Sequence, residues 1–451
     1  MTRVLVTGGA GFIGSNLVAA LLERGDDVRV LDNFSTGSRR NLASLGRDVE
    51  VIEGDLRSYE RVHTAVRGVE IVFHQGALGS VPRSVQDPLT STAVNVEGTL
   101  NVLLAARDEG IRRVVAASSS SVYGDGGAFP RVETQAPNPL SPYAVAKLAA
   151  ERFCVTFSRV YGLETVALRY FNVFGPRQDP TSQYAAVVPR FIEAIAEGRP
   201  VTVHGDGEQS RDFTHVENVV AANLLAATAP GADGRVLNIA TGGSETVNAL
   251  AETIGRLLDR PVEKTFGPAQ PGDVRESWAD VTAAREAIGY ETTVSFEDGL
   301  QRTIEAMSSP GEHEMSDDGY AFGTIDELGE GYGFRKVRQA LGVESFGVNV
   351  VVMPPNYDGF FHYHDEQDEL YFVHAGTARV EVGDEERLLG PGGMLHVSST
   401  TPRRVSNGGG EDLVMLVVGG KGGYVGRDGH MVDEADAERR AGFGSGGAGS
   451  G

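Results

Sequence analysis

The sequence predicts an α/β protein with a doubly wound parallel sheet, followed by a smaller all-β region. Up to about residue 308, short β-branched runs alternate with helical patterns, which is typical of strands covered on both faces. After residue 320, short strands at close spacing are broken by glycine, proline and Asn-Gly, which favours an antiparallel sandwich or barrel. The first set of runs is RVLVT, DVRVLD, VEVIEGD, EIVFHQ, RRVVAAS and ETVALRYFN, and the second is GVNVVVMP, ELYFVHAG, ARVEVG and DLVMLVVGG.

The domain organisation follows from this change of pattern. A length of 451 residues suggests two or three domains. In the stretch SSPGEHEMSDDG, apolar residues give way to acidic and turn residues, which indicates a linker. We therefore expect a first domain at 1–308 with a small substrate subdomain at its C-terminal end, a linker at 309–319, an all-β domain at 320–432 and a disordered, glycine-rich tail at 433–451.

Charge and composition exclude several classes of partner. The formal charge of −22 makes a general attraction to nucleic acid or to an anionic membrane unfavourable. No apolar run is long enough to cross a bilayer, and the N-terminus enters a strand without room for a signal peptide. The single cysteine, Cys154, excludes an intrachain disulfide. These observations predict a cytoplasmic protein.

A glycine-rich loop follows the first strand in VTGGAGFIG. Gly8, Gly11 and Gly14 are spaced to let a pyrophosphate rest on backbone amides at a helix N-terminus. Asp32 ends the second strand, where a carboxylate can bind both ribose hydroxyls and repel a 2′-phosphate. The pattern predicts NAD rather than NADP, although Arg39 and Arg40 keep the second alternative open. Asp55 ends the third strand and either accepts from the adenine amine or caps the strand.

Candidate catalytic residues lie near the expected ligand-binding edge of the sheet. The run RRVVAASSSS ends its strand at this edge, so Ser119 is placed at the site. Downstream, Tyr143 and Lys147 are four residues apart and share one helix face. An adjacent ammonium and a cationic nicotinamide both favour the phenolate form of a tyrosine. We therefore interpret Tyr143 as a base and Lys147 as its electrostatic support.

Residues 2 to 307 resemble the extended short-chain dehydrogenase/reductase family. The stretches VNVEGTLNVL, LRYFNVFGPRQDP, GDGEQSRDF and PGDVRESWAD match in order and are similar to the nucleotide-sugar epimerases of that family. The resemblance implies a Rossmann sheet, bound NAD and a homodimer. The cofactor-binding residues that it implies are Gly8, Gly11, Phe12, Ile13, Gly14, Asp32, Asn33, Asp55, Leu56, Asn95 and Lys147.

The four consecutive serines distinguish reactions within this family. Members that dehydrate the sugar carry an Asp-Glu pair after the catalytic hydroxyl, and relatives that decarboxylate UDP-glucuronate carry a Glu there. This chain has Ser120 and Ser121 instead. The resemblance therefore implies a 4-epimerase, in which C4 passes a hydride to NAD and takes it back on the other face of a 4-keto sugar.

A further set of matching residues indicates which nucleotide sugar is bound. Small Ser277 in RESWAD implies room for an acetamide, because epimerases restricted to UDP-glucose tend to have a tyrosine there. This resemblance ranks UDP-N-acetylglucosamine first, UDP-glucose next and UDP-glucuronate third. The substrate-binding residues that it implies are Gly79, Ser80, Ser120, Asn172, Gln178, Ala186, Arg211, Arg275 and Ser277.

The all-β region carries a candidate metal site. In HYHDEQDELYFVHAG, residues two apart on a strand face the same way, so His362 and His364 can meet Glu369 inside a barrel. The pattern resembles the first cupin motif over about residues 320 to 425. The usual fourth ligand, a histidine, is replaced by Arg403, which cannot bind a metal.

Two interpretations of the cupin site therefore remain. One is a divalent metal held by the three ligands. The other is a metal-free barrel in which Arg403 pairs with Glu369 or with an anionic ligand. His374 should face away from the site, and His396 is an unsupported alternative ligand. The cupin itself is interpreted as an accessory domain, either a second sugar isomerase or a ligand-binding regulatory module.

Overall fold

The chain divides into two compact units, residues 1–308 and 309–451. The structure, a computed structural model, describes residues 2–43, 45, 49–178, 187–268, 275–308, 325, 332–335, 337–341, 343, 346–383, 385–420 and 429–432. The expected linker at 309–319 and the expected disordered tail at 433–451 lie outside the described residues.

The first unit alternates strands and helices. Its strands are β1 (Arg3–Thr7), β2 (Asp27–Asp32), β3 (Glu50–Glu53), β4 (Ile71–His74), β5 (Arg113–Ser119), β6 (Glu164–Tyr170), β7 (Val173–Phe174), β8 (Val201–His204), β9 (Ser210–Arg211), β10 (Thr214–His215), β11 (Arg235–Ile239), β12 (Glu245–Thr246), β13 (Lys264–Gly267) and β14 (Glu276–Ser277). Its helices are α1 (Phe12–Glu23), α2 (Arg39–Ala43), α3 (Tyr59–Val66), α4 (Val81–Gln86), α5 (Pro88–Thr92), α6 (Gly98–Asp108), α7 (Pro142–Tyr161), α8 (Val187–Ala196), α9 (Val216–Ala226), α10 (Val247–Leu258), α11 (Thr282–Ile288) and α12 (Phe296–Ser308), with a π-helical turn at Ala93–Glu97 and a 3₁₀ turn at Ser120–Tyr123.

A seven-stranded sheet in the order β11-β6-β5-β4-β1-β2-β3 forms the centre of this unit, and all its pairings are parallel. Alternate residues of β1 face opposite layers: Val4 and Val6 pack into one apolar cluster, and Leu5 packs into another. Burial on both faces explains the continuous apolar runs. The expected doubly wound parallel sheet is confirmed, and its six predicted runs are all strands.

Short strands build a smaller layer beyond this sheet. β8 pairs with β13, β7 pairs with β10, and β9 lies between β12 and β14. The register places Ser277 beside Arg211, with Glu245 on the other side of Arg211. A separate apolar cluster that includes Phe174, Phe191 and Leu250 supports this layer.

The second unit is all-β apart from one short helix among its described residues. Its elements are β15 (Gly333–Arg335), α13 (Val337–Ala340), β16 (Gly347–Met353), β17 (His362–His364), β18 (Asp368–Ala375), β19 (Ala378–Val382), β20 (Glu385–Leu389), β21 (Met394–Val397), β22 (Arg403–Asn407), β23 (Leu413–Gly420) and β24 (Gly429–Met431). They form two five-stranded antiparallel sheets, in the orders β15-β16-β23-β18-β21 and β20-β19-β22-β17-β24. The expected all-β domain is confirmed. Throughout the described part of the chain, every helix is too short or too polar to span a membrane.

Candidate active site and cupin centre

The loop between β1 and α1 can accept only glycine at its key positions. Gly8 has a φ of +67°, and its N–H donates to the carbonyl of Leu31 at 2.8 Å. A Cβ on Gly14 would lie 2.0 Å from the Gly8 carbonyl oxygen. Gly11 is the N-cap of α1, and it has no side chain that could accept from the N–H groups of the first helical turn in competition with a ligand. This loop therefore fits the pyrophosphate of a dinucleotide.

Asp32 joins the loops that follow β1 and β2. Its carboxylate accepts the backbone N–H of Ala10 at 2.9 Å and that of Phe34 at 2.8 Å. Burial raises the pKa of Asp32, and the backbone hydrogen bonds oppose that effect. The side chain is thus fixed at the carboxyl end of the sheet, where a ribose is expected. Arg39 pairs with Glu53, so its charge is already balanced; Arg40 is exposed.

Asp55 is engaged by protein groups. Its two oxygens accept from the Arg57 guanidinium at 2.9 and 2.7 Å, and Asn33 donates to it at 3.0 Å. The Arg57 guanidinium lowers the pKa of Asp55 to about 2. The N–H of Arg57 also donates to Asp55 at 2.9 Å, which is the strand-capping alternative.

The remaining expected cofactor residues line the same edge. Leu56 is buried, and a Cβ on Gly76 would come within 2.9 Å of its side chain. Asn95 is buried and brackets the backbone of Leu78, accepting its N–H at 2.8 Å and donating to its carbonyl at 3.1 Å. Asn95 therefore shapes the loop that follows β4. Phe12 and Ile13 are partly buried in the first turn of α1.

The four serines end β5 and begin the 3₁₀ turn that follows it. Ser118 is buried and donates to Glu151 at 2.9 Å. Ser119 is partly buried and accepts both from the N–H of Ser121 at 3.2 Å and from its hydroxyl at 2.9 Å. Ser120 is partly buried in the 3₁₀ turn. Because Ser119 accepts twice from Ser121, its own proton remains for a ligand or for Tyr143.

Tyr143 and Lys147 lie one turn apart on α7, and both are tied to neighbouring elements. The N–H of Tyr143 donates to the Ser84 hydroxyl at 3.1 Å, and Lys147 Nζ donates to the carbonyl of Ala117 at 2.9 Å. Burial raises the pKa of Tyr143, an effect that its contact with Ser119 partly offsets. Burial lowers the pKa of Lys147 to about 8. Lys147 lies one helical turn from Tyr143, so its positive charge favours the phenolate form of Tyr143.

A buried ion pair anchors the same helix one turn further on. Glu151 accepts from Arg169 on β6 through two hydrogen bonds of 2.8 Å each, and both side chains are almost fully buried. The sequence interpretation missed this pair. Its signal was the spacing Tyr143, Lys147, Glu151, because positions four apart repeat on one helix face.

The expected substrate residues approach the site from several loops. Ser80 caps α4 and accepts the Arg83 N–H at 3.2 Å, while Gly79 before it is exposed. Since Ser84 of α4 contacts Tyr143, both lie near the catalytic helix. Asn172 is exposed, with a φ of +25°.

Other expected substrate residues differ in their burial and in the contacts that their side chains make within the protein. Arg211 is nearly buried and lies beside half-buried Ser277. Arg275 already forms an ion pair with Asp206 at 2.8 Å on the surface. Gln178 donates to the carbonyl of Val173 at 3.4 Å, and its buried Oε1 has no partner among the described residues. Ala186 lies outside the described residues.

The second unit brings its three expected ligands together. The ligand atoms of His362, His364 and Glu369 lie within 4.8 Å of one another, as the sequence predicts. Burial acts to raise the pKa of Glu369, but hydrogen bonds from its neighbours outweigh it and lower the pKa to about 2. His374 and His396 are both exposed on their strands, so neither points into this cluster.

A dinucleotide loop combined with a serine, a tyrosine and a lysine at one sheet edge defines the class of short-chain dehydrogenases/reductases. Comparison with family models extends this: the model described as "NAD dependent epimerase/dehydratase family" matches residues 4–240, and the model described as "Cupin domain" matches residues 349–419. The chain belongs to the NAD dependent epimerase/dehydratase family and carries a C-terminal cupin domain.

Relatives of the first unit include UDP-sugar epimerases and UDP-sugar decarboxylases. The UDP-glucose 4-epimerase of Mycolicibacterium smegmatis is 39% identical over 311 residues, which cover 67% of this chain and 97% of the relative. A solved structure of UDP-N-acetylglucosamine 4-epimerase from Methanobrevibacter ruminantium, with UDP-N-acetylmuramic acid, has a TM-score of 0.65 and 39% identity, covering 68% of this chain and 98% of that one. A Thermus thermophilus UDP-glucose 4-epimerase with NAD has a TM-score of 0.63 and 37% identity, covering 68% and 99%.

Proposed function

We propose that the first unit is an NAD-dependent 4-epimerase of a UDP-hexose, with UDP-N-acetylglucosamine as the leading substrate and the cupin as an accessory domain. The supporting observation is the set of Ser119, Tyr143 and Lys147 at one sheet edge, with serines instead of carboxylates at positions 120 and 121. Dehydration or decarboxylation would need a further acid or base there, whereas inversion at C4 needs only oxidation and reduction.

The side chains of the site divide the proton chemistry. Tyr143 removes the proton of the sugar 4-hydroxyl and returns it after the 4-keto sugar has turned over. Ser119 donates its hydroxyl proton to the same oxygen. That proton is not used in the two hydrogen bonds with Ser121, because Ser119 is the acceptor in both. Lys147 favours the phenolate of Tyr143 through its charge, and its hydrogen bond to Ala117 fixes the ammonium.

The glycine loop and the ends of β2 and β3 would hold the cofactor. The backbone of the loop that contains Gly8, Gly11 and Gly14 would hold the pyrophosphate, and Asp32 would accept from the ribose. When bound, NAD supplies the two-electron oxidation of the sugar carbon, its reversal, and a positively charged ring. The Asp32 carboxylate would repel a 2′-phosphate, which supports NAD, whereas NADP is the alternative that exposed Arg39 and Arg40 leave open.

The UDP-sugar would lie against Asn172, Gln178 and Arg211. Arg211 can fork onto a phosphate oxygen in this otherwise acidic protein. Arg275 can do so only by exchanging its exposed pair with Asp206. UDP-glucose is the alternative substrate, favoured by the relative from Mycolicibacterium smegmatis; UDP-glucuronate ranks third.

Ser277→Tyr tests the choice of sugar. Ser277 is half-buried and lies beside Arg211, so a tyrosine there should fill the space assigned to the acetamide. We expect kcat/KM for UDP-N-acetylglucosamine to fall by about tenfold or more, with UDP-glucose largely spared. Kinetics on both substrates check this, and equal losses would show that Ser277 does not select the sugar.

The proposed reaction is tested with a panel of UDP-sugars. Because the cycle restores NAD, the protein should convert its substrate to the C4 epimer without net formation of NADH. NMR resolves the epimer, and the near-ultraviolet absorbance of NADH measures the cofactor. Stoichiometric NADH release during steady turnover would instead identify a dehydrogenase.

We also propose that the protein is a homodimer. α4, α5 and α7 pack on one another and expose Val85, Leu89 and Val145, of which Leu89 is 83% exposed. Neighbouring exposed apolar residues are typical of a protein interface. Sedimentation velocity would test this, and a monomer at micromolar concentration would contradict it.

A further inference from the structure

Both oxygens of the cupin carboxylate are occupied by protein donors. Glu369 Oε2 accepts from Arg403 Nη2 at 2.5 Å and from the hydroxyl of Tyr371. Its other oxygen, Oε1, lies 3.4 Å from His364 Nε2 and 3.4 Å from the amide nitrogen of Gln367. A metal would have to share these oxygens with groups that already bind them.

Arg403 is held in place by the strand that carries it. It begins β22 directly opposite His362 on β17, so the register fixes it within the cluster. The side chain is fully buried, and Nη1 donates to the carbonyls of Ser399 at 3.1 Å and Thr401 at 3.2 Å. The guanidinium is permanently charged, and Glu369 balances that charge.

The buried position of Arg403 decides between the interpretations of this site. Arg403 pairs with Glu369, which is the metal-free alternative, and its side chain has no exposed surface for an external carboxylate or phosphate. A divalent ion among the three ligands would lie close to the guanidinium and be repelled strongly in this poorly solvated interior. The residues present therefore do not fit a resident divalent ion.

We propose that the Arg403 guanidinium takes the place of a metal ion in this cupin domain. It neutralises Glu369 and holds the carboxylate beside His362 and His364, as a bound cation would otherwise do. The domain then keeps its central cluster ordered without metal, and chelators leave its fold unchanged.

Arg403→His tests this by removing the fixed cation and supplying a fourth metal ligand. The full chain is purified without a histidine tag, incubated with zinc, manganese or ferrous ion, desalted, and analysed for metal. The wild type should retain little metal, whereas the variant should retain zinc near one per chain, roughly a tenfold increase. Its thermal unfolding should become sensitive to EDTA, which should leave wild-type unfolding unchanged.

Arg404→His provides the matched control. Arg404 is the next residue of β22 and points to the opposite face of the strand, so a histidine there should add no zinc. Arg403→Gln is the second variant: it removes the charge without adding a ligand, and should bind more zinc than wild type through the three remaining residues. If circular dichroism shows that Arg403→His does not fold, the zinc content of Arg403→Gln relative to wild type tests the proposal instead.

Three results would overturn the proposal. The first is wild-type protein that retains about one metal per chain after desalting. The second is a folded Arg403→His variant whose metal content equals that of wild type. The third is equal zinc uptake by the Arg403→His and Arg404→His variants, because a nonspecific added histidine would then explain the binding.

Discussion

Replacing Tyr143 with phenylalanine should lower kcat for epimerisation by about 10²- to 10⁴-fold, with substrate affinity nearly unchanged. The phenol hydroxyl, which is the proposed base for the sugar 4-hydroxyl, is the only group removed. Steady-state kinetics give kcat, and calorimetry with the UDP-sugar gives the affinity. The ring keeps its packing, so the fold should be preserved.

Tyr161→Phe is the matched control for this variant. Tyr161 ends the same helix, is half exposed, and packs on Phe157 away from the serines. Its removal should leave turnover unchanged. Near-normal turnover by the Tyr143 variant would mean that the base lies elsewhere, whereas a matching loss in both variants would indicate damage to α7 rather than lost chemistry.

The sequence predicts the parallel sheet well because its strands are buried on both faces and read as continuous apolar runs. β11 is the exception, since Asn238 interrupts its run. The Asn238 side chain is fully buried, accepts from the Tyr123 hydroxyl at 2.7 Å and donates to the carbonyl of Arg131 at 3.0 Å. Partners more than 100 residues away in sequence satisfy this amide, so no local pattern reveals the strand.

The same distinction applies to the candidate site. Tyr143 and Lys147 are recognisable because helix geometry links positions four apart. From the sequence, the pairing of Arg403 with Glu369 was one of two interpretations of the cupin site. The two residues are 34 apart in sequence, and only the register of the folded strands brings them together. Arg275 is expected to contact the substrate, and no local pattern reveals its ion pair with Asp206, which is 69 residues away in sequence.

Glu151→Ala should destabilise the first unit by about 3–5 kcal/mol, because it leaves the Arg169 guanidinium buried without its counter-charge. Ser118 would lose its acceptor as well. Urea unfolding followed by the fluorescence of Trp278 measures this, since the sequence has one tryptophan and it lies in the first unit.

Glu297→Ala is the control, because Glu297 pairs with Arg256 at 2.8 Å on the surface, where solvent screens the pair and its contribution to stability is small. A double variant, Glu151→Leu with Arg169→Met, should recover most of the lost stability, since apolar side chains of similar volume need no counter-charge. If Glu151→Ala costs no more than Glu297→Ala, the buried pair does not hold α7 against the sheet. If the double variant is stable yet turns over slowly with a normal KM, the pair also positions Tyr143 and Lys147 for proton transfer.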